Sequence, residues 1–590
     1  MTKAAARLGG ILAALAGLSF LAAGCGGGAA HNGVASLGSG TTTQSNAPAG
    51  SSSSGQSEPT KAELLKYAEC MRAHGIRDFP DPVPAPGGGY AFHAHITPGS
   101  DLDPNTPRYQ SSDKACRKNL PPGFEKTTPA APVAPAAAGA TGRATVTINA
   151  AKQYQRIAGF GVSEGFGQAK ALMNAPASVR KQVLSLLYSP THGAGLTILR
   201  NEISADAGFT IEPRAPSSPT TKPSYLTLAE IDQDQGQLWF AKQIKADYGV
   251  TNVFADAWSA PAFMKTNGSA IRGGTVCGEP DASCKSGDWR QAYADYLVQY
   301  AKDYAAAGVP LSYVGPENET TIAPPQDSMI MSPAQTANFM AILGQALAKS
   351  GLSTRAECCA SIGWNYAQQY AAAIEADEQA NAATPLFTSH GYFVPLDSPL
   401  KGWSKPVWET EWAPFDTGPF DPAWDDGSLL SGFTWAQNIY TGLTAANVGA
   451  FLYLWGANTS TTTITGPNTG LVEVKGNTVA TSGRLWAFAG YSRLIRPDAV
   501  RIGTTTNATD VDVSAFRNSD GSIAVVVLNS AHRRQVTTFS LHGLRGPHIV
   551  TPYLTDTSHQ LSAQSPITVR HSAFTATLPP RALVSYDIRP

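Results

Sequence analysis

From residue 143 onward, apolar runs of strand length alternate with segments whose apolar residues recur at helical spacing. Eight runs read as strands: RIAGFGVSE, LTILRNEI, TNVFADAWSAP, LSYVGPENE, AECCASIGW, PLFTSHGYF, PVWETEW and AFLYLWGAN. Between them, Val179, Val183, Leu186 and Leu187 mark one face of a helix. Phe339, Ile342 and Leu343 mark another, opened by Ser332-Pro333 and stopped by Gly351. This alternation over 156–490 predicts an α/β fold, a (β/α)8 TIM barrel. Over 491–590 the pattern changes to short alternating runs, VDVSAF, IAVVVLN and ALVSYDI, with NSDG as a hairpin turn between the first two. That texture predicts an appended β-sandwich side domain, which the similarly β-like stretch at 143–155 is expected to join.

The first 142 residues are patterned differently. Lys3 and Arg7 precede a short apolar run and small residues leading to Cys25, the layout of a bacterial export signal over 1–25. Ala23-Gly24-Cys25 resembles a lipobox, with leucine at 21 rather than at the usual 22. The expectation is a lipoprotein, acylated at Cys25 and held on the outer face of the cell membrane; a plain secretory signal is the alternative. Residues 26–57 form a Gly/Ser/Thr-rich tether. Over 58–122, Thr60 and Glu63 form a capping box that opens a helix through Cys70, stopped by Gly75. In an oxidising compartment Cys70 and Cys116 are expected to staple this small module with a disulfide. A Pro/Ala-rich linker, 123–142, follows.

Setting aside Cys25 leaves six of the 7 cysteines. Cys277 and Cys284 can close a small loop, whereas Cys358 and Cys359 either pair with each other or stay free. No spacing suggests zinc and no phosphate loop is present, so neither metal nor organic cofactor is expected. The 43 Lys+Arg against 44 Asp+Glu leave no basic field to hold nucleic acid. Membrane contact would come through the lipid anchor only, and a monomer is expected. With 11 Trp and 20 Tyr, some rings are available to stack on neutral sugars, although most belong to the core.

In this charge-poor chain two carboxylate pairs stand out, Glu317 with Glu319 in VGPENET and Glu409 with Glu411 in VWETEW. Each pair ends a candidate strand, the fourth and the seventh, where a barrel of this type carries its chemistry. Residues two apart on a strand share a face, so parity does not choose between them. Depth does: Glu319 and Glu411 lie nearer the mouth, with Glu317 and Glu409 deeper or turned away. Two carboxylates across a cleft suit glycoside hydrolysis, one as acid and one as nucleophile or base, with Asn318 placed to hold a sugar 2-hydroxyl. Ordinary polar rim residues are the competing explanation, less favoured because the two fall on strands four and seven.

At these residues the chain resembles glycoside hydrolase family 30, closest to its xylan-cleaving branch. GFGVSEGFGQA, GAGLTILRNEI, AWSAPAFMKTNG, GDWRQAYADYLVQY, ENE, TSHGY, VWETEW, SGRLWAFAGYSRLIRPDAVRIG and DGSIAVVVLNS carry the resemblance in order. It implies a side-domain sandwich on the barrel and double displacement, with Glu319 as acid/base and Glu411 as nucleophile. It also implies a charge-assisted contact of Arg200 near the nucleophile, and cleft positions for Trp258, His390, Tyr392 and Trp455, for each of which core packing is the competing role. The implied substrate is a polysaccharide, foremost xylan cut by an endo-β-1,4-xylanase. A β-1,6-galactanase or other family 30 glycosidase is the alternative, and a non-catalytic sugar-binding lipoprotein the alternative from another class. Two departures matter. Thr320 replaces a proline and is expected to loosen the turn after Glu319. Gln168 stands where the branch tends to carry an arginine, which puts recognition of glucuronic acid branches in doubt.

Overall fold

The computed structural model of the protein describes residues 33–37, 61–77, 79–84, 90–96, 107–120 and 141–589, apart from 393–395, 415–417, 460–466 and 544–547. The expected export signal with Cys25, Thr60, and most of the expected tether and Pro/Ala-rich linker lie outside the described residues. The chain divides into two compact units, Met1–Ala131 and Pro132–Pro590.

In the first unit the helix Lys61–Ala73 stops just before Gly75, whose φ of 100° a side chain would oppose. Leu64, Tyr67, Ala68 and Met71 recur on one helix face and bury against Ile76, Phe79 and Tyr109. The disulfide Cys70–Cys116 ties this helix to a second one, Pro107–Cys116. So small a core benefits from that crosslink. One stretch departs from the expected tether: Gly33–Leu37 pairs antiparallel with Tyr90–Ile96. Its Val34 and Leu37 make it more apolar than the glycine- and serine-rich sequence around it.

The second unit holds the barrel. Its parallel strands are β1 (Gly159–Ser163), β2 (Ile198–Ile203), β3 (Asn252–Ala257), β4 (Tyr313–Gly315), β5 in two pieces (Arg355–Ala356 and Cys358–Ser361), β6 (Phe387–His390), β7 (Val407–Glu411) and β8 (Ala450–Tyr453). Each pairs with the next, and β8 pairs with β1. The ring closes across the break in β5, where the first piece pairs with β4 and the second with β6. Glu357 sits at that seam, its backbone N donating to Val314 O at 3.1 Å. Ile198, Phe254, Leu386, Trp408, Ala450 and Leu452, drawn from β2, β3, β7, β8 and the entry to β6, cluster to fill the interior.

Helices Ala177–Tyr188, Gln237–Tyr248, Arg290–Ala306, Pro333–Ser350, Trp364–Ala376, Gly432–Thr444 and Gly483–Ser492 cover the barrel. Pro333–Ser350 shows why the sequence signals work. Ser332 accepts from Gln335 N, Gln335 reaches back to Ser332 N, and Gly351 ends the helix at φ 75°. The alternation fails once: among the described residues the connection from β6 to β7 carries no helix. Pro399, Gly402 and Pro406 interrupt that stretch.

The side domain draws on both ends of the unit. The long strand Thr141–Arg156 pairs antiparallel with Val500–Thr506 and parallel with Arg534–His542. Val511–Arg517 and Ile523–Asn529 form the hairpin around NSDG, with Gly521 at φ 85°. Val146, Ile148, Val513, Val525, Val527, Phe539, Leu541 and Phe574 alternate inward to make a separate sandwich core.

Candidate active site

The two carboxylate pairs do not behave as strand parity suggests. β4 ends at Gly315, so Glu317 lies beyond it and turns to the helix layer, accepting from Thr336 Oγ1 at 2.8 Å. On β7, Trp408 faces the interior, and simple alternation would turn Glu409 and Glu411 away together. A register shift against β6 intervenes: Ser389 pairs with Glu409, but His390 pairs with Glu411. The extra residue brings Glu411 inward, while Glu409 accepts from Leu452 N at 3.0 Å. Expecting each pair to share a face is therefore incorrect, because neither stretch is a regular strand where the glutamates stand. Depth fares better. Glu319 keeps 18% of its side chain exposed and Glu411 7%, whereas Glu317 and Glu409 are wholly buried.

Arg200 on β2 organises the floor. Its Nε lies 2.5 Å from Asp256 Oδ2, its Nη1 donates to Glu411 Oε2, and its Nη2 lies 2.6 Å from Asn318 Oδ1. The guanidinium also packs over Trp258, 4.6 Å from the ring centroid. Burial works against its charge, and the Asp256 and Glu411 carboxylates more than offset this, so its pKa lies above the ordinary arginine value. Tyr392 donates its hydroxyl to Glu411 Oε1 at 3.0 Å.

Across from Glu411, Glu319 Oε1 lies 2.9 Å from His390 Nδ1. Burial pushes the Glu319 carboxyl up to about 7, with Arg200 opposing the rise. Burial pushes His390 down to about 4, so its imidazole is neutral at pH 7. An oxygen of Glu319, a ring nitrogen of His390 and an oxygen of Glu411 all lie within 4.8 Å of one another. This trio has the donor types of a cation site, but the Arg200 guanidinium already supplies the positive charge to Glu411. Close carboxylates, one with a raised pKa and one ion-paired, can divide acid and nucleophile roles between them.

The turn carrying Glu319 is held firmly. Glu319 has φ 51°, unusual for a residue with a side chain, and its backbone N donates to Ala360 O at 2.9 Å. Thr320 Oγ1 lies 3.0 Å from Tyr370 OH, which donates to Met331 O at 2.8 Å. The loosening expected from losing a proline is thus offset by a side-chain hydrogen bond that a proline could not make. Gln168 is buried, and its Oε1 accepts from Thr459 N at 2.9 Å and Thr459 Oγ1 at 2.8 Å. It ties the first turn of the helix Gln168–Asn174 to the short strand Ala457–Thr459.

Trp258 and Trp455 form an aromatic wall with Phe166, whose ring lies edge-on at 5.1 and 5.7 Å from theirs. Arg200, Asn318, Glu319, His390, Tyr392 and Glu411 thus form one hydrogen-bonded group, and Trp258 lies against Arg200. Sequence reasoning passed over Phe166, Asp256 and Glu357. The signal for the last two was an acid inside an apolar strand run, in FADAW and AECCAS. The remaining cysteines pair as Cys277–Cys284 and Cys358–Cys359, which settles the alternatives left open for the adjacent two.

Comparison with known proteins identifies the family of the fold. Residues 143–392 match the model of O-glycosyl hydrolase family 30, and residues 498–586 match the glycosyl hydrolase family 30 beta sandwich domain. Glu411 lies outside both stretches. The structure of the catalytic domain of GH30 xylanase C from Talaromyces cellulolyticus is 42% identical, covering 76% of this chain and 100% of that one, with a TM-score of 0.71. Putative glucosylceramidase 4 of Caenorhabditis elegans is 23% identical over 70% of this chain and 81% of its own length. Glucuronoxylanase XynC of Bacillus subtilis is 24% identical over 61% of this chain and 79% of its own length. With a barrel closed around this carboxylate group, a sandwich built from both ends and a 42% identical relative matched along its whole length, the chain belongs to glycoside hydrolase family 30 and is a glycoside hydrolase.

Proposed function

We propose that the protein is a retaining endo-β-1,4-xylanase with Glu411 as nucleophile and Glu319 as acid/base. The observation that carries the stereochemistry is the approach of Glu319 and Glu411 to within 4.8 Å. Retaining enzymes hold their carboxyl groups about 5–5.5 Å apart, and inverting ones leave room for a water between them. In the first step a Glu411 oxygen bonds to the anomeric carbon as the glycosidic C–O bond breaks, and Glu319 gives its proton to the departing oxygen. In the second, Glu319 takes a proton from water, whose oxygen displaces Glu411 and restores the starting configuration.

The surrounding residues serve those steps. Arg200 and Tyr392 orient Glu411 from either side, and Asn318 beside Arg200 presents its amide to the sugar. His390 holds Glu319, Trp258 packs against Arg200 in the floor, and Trp455 is buried in the core beside Phe166. The similarity to a fungal xylanase supports xylan as substrate. The glucosylceramidase relative supports a second reading, a glucosylceramide substrate. The N-terminal pattern around Cys25 supports export and lipid attachment outside the cell.

Product analysis on linear xylan, glucuronoxylan, β-1,6-galactan and glucosylceramide tests the reading. The expected result is release of xylo-oligosaccharides whose new reducing ends first appear in the β configuration. Release from galactan or glucosylceramide alone would move the substrate, and first appearance of α products would remove the two-step mechanism.

A further inference from the structure

Beneath the proposed nucleophile lies an acidic pair that the two-glutamate mechanism does not use. Asp256 on β3 and Glu357 at the break in β5 are both wholly buried. Gly315 of β4 makes the space they share. A Cβ placed on it would lie 1.7 Å from Glu357 Oε1 and 2.3 Å from Asp256 Oδ1, so these oxygens sit side by side where any side chain would displace them. Both oxygens lack a partner if each carboxyl is written as an anion.

The other two oxygens fix where a proton must go. Asp256 Oδ2 accepts from Arg200 Nε. Glu357 Oε2 accepts from Thr388 Oγ1 at 2.5 Å, and Thr388 Oγ1 in turn accepts from Ala360 N at 2.8 Å, leaving its hydroxyl proton for Glu357. Only Glu357 Oε1 and Asp256 Oδ1 remain, and a single proton between them satisfies both.

We propose that Glu357 is a positioning residue held as a neutral carboxylic acid, donating from Oε1 to Asp256 Oδ1 and so fixing the Asp256–Arg200–Glu411 relay in register with Glu319. Burial raises the Glu357 pKa well above the carboxyl range, and the charge of Asp256 raises it further. The groups facing the pair agree with one shared proton. They are Arg200, the only cation bonded to it among the described residues, Thr388, Tyr313 on β4, and His390 and Glu411 beyond Arg200. Were both acids ionised, Asp256, Glu357 and Glu411 would surround one guanidinium, and the excess charge would compete with Glu411 for it. The same residue reaches the acid/base by a second route. Thr388 holds Ala360 N, and Ala360 O receives the backbone N of Glu319. Glu357 thus braces the nucleophile through side chains and the acid/base through the backbone of β5.

The kinetic part of this inference rests on the assignment of Glu411 and Glu319 above; the protonation state does not. Infrared difference spectra of the whole protein, unmodified minus Glu357→Gln at pH 8, read that state directly. A single carboxylic-acid carbonyl band lost on substitution is expected, and a lost carboxylate band would overturn the proposal whatever the substrate proves to be. In kinetics, Glu357→Leu leaves Asp256 Oδ1 buried without a donor and is expected to lower kcat about ten- to a hundred-fold with little change in KM. Glu357→Gln supplies an amide donor to Asp256 and an acceptor to Thr388, and is expected to recover most of that loss. Unchanged kcat in Glu357→Leu, or an equal loss in Glu357→Gln, would overturn the positioning role. If Glu357→Leu does not fold, the infrared band and the kcat of Glu357→Gln still decide.

Discussion

His390 presents Nδ1 to Glu319 Oε1 at 2.9 Å, and the contact of its other nitrogen fixes the proton on the imidazole. The opposite nitrogen, Nε2, faces Arg200 Nη2 at 3.5 Å and Glu411 Oε2 at 3.9 Å. Arg200 can only donate, so Nε2 is the acceptor and Nδ1 carries the hydrogen. His390 therefore donates to one oxygen of Glu319, which leaves the carboxyl proton on the other oxygen, free to face a leaving group. The burial that keeps His390 neutral also raises Glu319.

That arrangement sets the pH dependence. With a carboxyl pushed up to about 7, Glu319 is mostly protonated below that pH and loses its proton above it. A reaction that needs Glu319 as acid should therefore lose kcat/KM for polysaccharide as pH rises through about 7. The first step on an aryl xyloside with an activated leaving group needs no proton, and its rate should not fall across the same range. Parallel alkaline limbs for both substrates would mean that another group titrates.

The two glutamates should fail in different ways. Glu411→Gln replaces the carboxylate nucleophile with a neutral amide that cannot form the glycosyl ester, so turnover should be lost on every substrate. Glu319→Gln removes the proton, so polysaccharide cleavage should fall by several orders of magnitude while the first step on activated aryl glycosides survives. Rapid release of aryl product followed by a slow phase in Glu319→Gln would separate the roles. Equal residual activity in both variants would sink the assignment.

How far the sequence reached can be read from single residues. The eight apolar runs and the helix signals around Ser332 and Gly351 depend on local chemistry, and the structure has them where that chemistry places them. Glu319 and Glu411 were found because a strand end limits how deep a residue can lie. Parity failed because it needs a regular ladder, and the end of β4 at Gly315 and the shift opposite Ser389 are products of closing the whole barrel. The acidic pair at Asp256 and Glu357 was hidden for the same reason. The two residues stand 101 positions apart and meet only through β4, where Gly315 leaves them room. For Gln168 the sequence showed the missing arginine but not the burial against Thr459, which depends on a residue 291 positions away.

Arg200 donates to Asp256, Glu411 and Asn318 in three directions, besides facing His390 Nε2 and Trp258, and a lysine cannot reproduce that fork. Arg200→Lys keeps the charge but leaves at least one buried carboxylate oxygen without its donor. A fall in kcat on the order of a hundredfold is expected, with the protein still folded. Near-normal kcat would show that the charge alone, without the geometry, is enough to serve Glu411.

Gln168→Arg separates specificity from support. An arginine there suggests better capture of a glucuronic acid branch if the position faces the cleft, because a guanidinium pairs with a carboxylate bidentately. In the structure Gln168 is buried and receives two hydrogen bonds from Thr459. Arginine has no acceptor to offer Thr459, and the site would have to bury a new charge. Thermal unfolding should report a loss of about 1–3 kcal/mol, with no gain in the ratio of glucuronoxylan to linear xylan cleavage. A stable variant with an increased ratio would mean that the helix start carrying Gln168 turns toward substrate, and that the Thr459 contacts are made only when the cleft is empty.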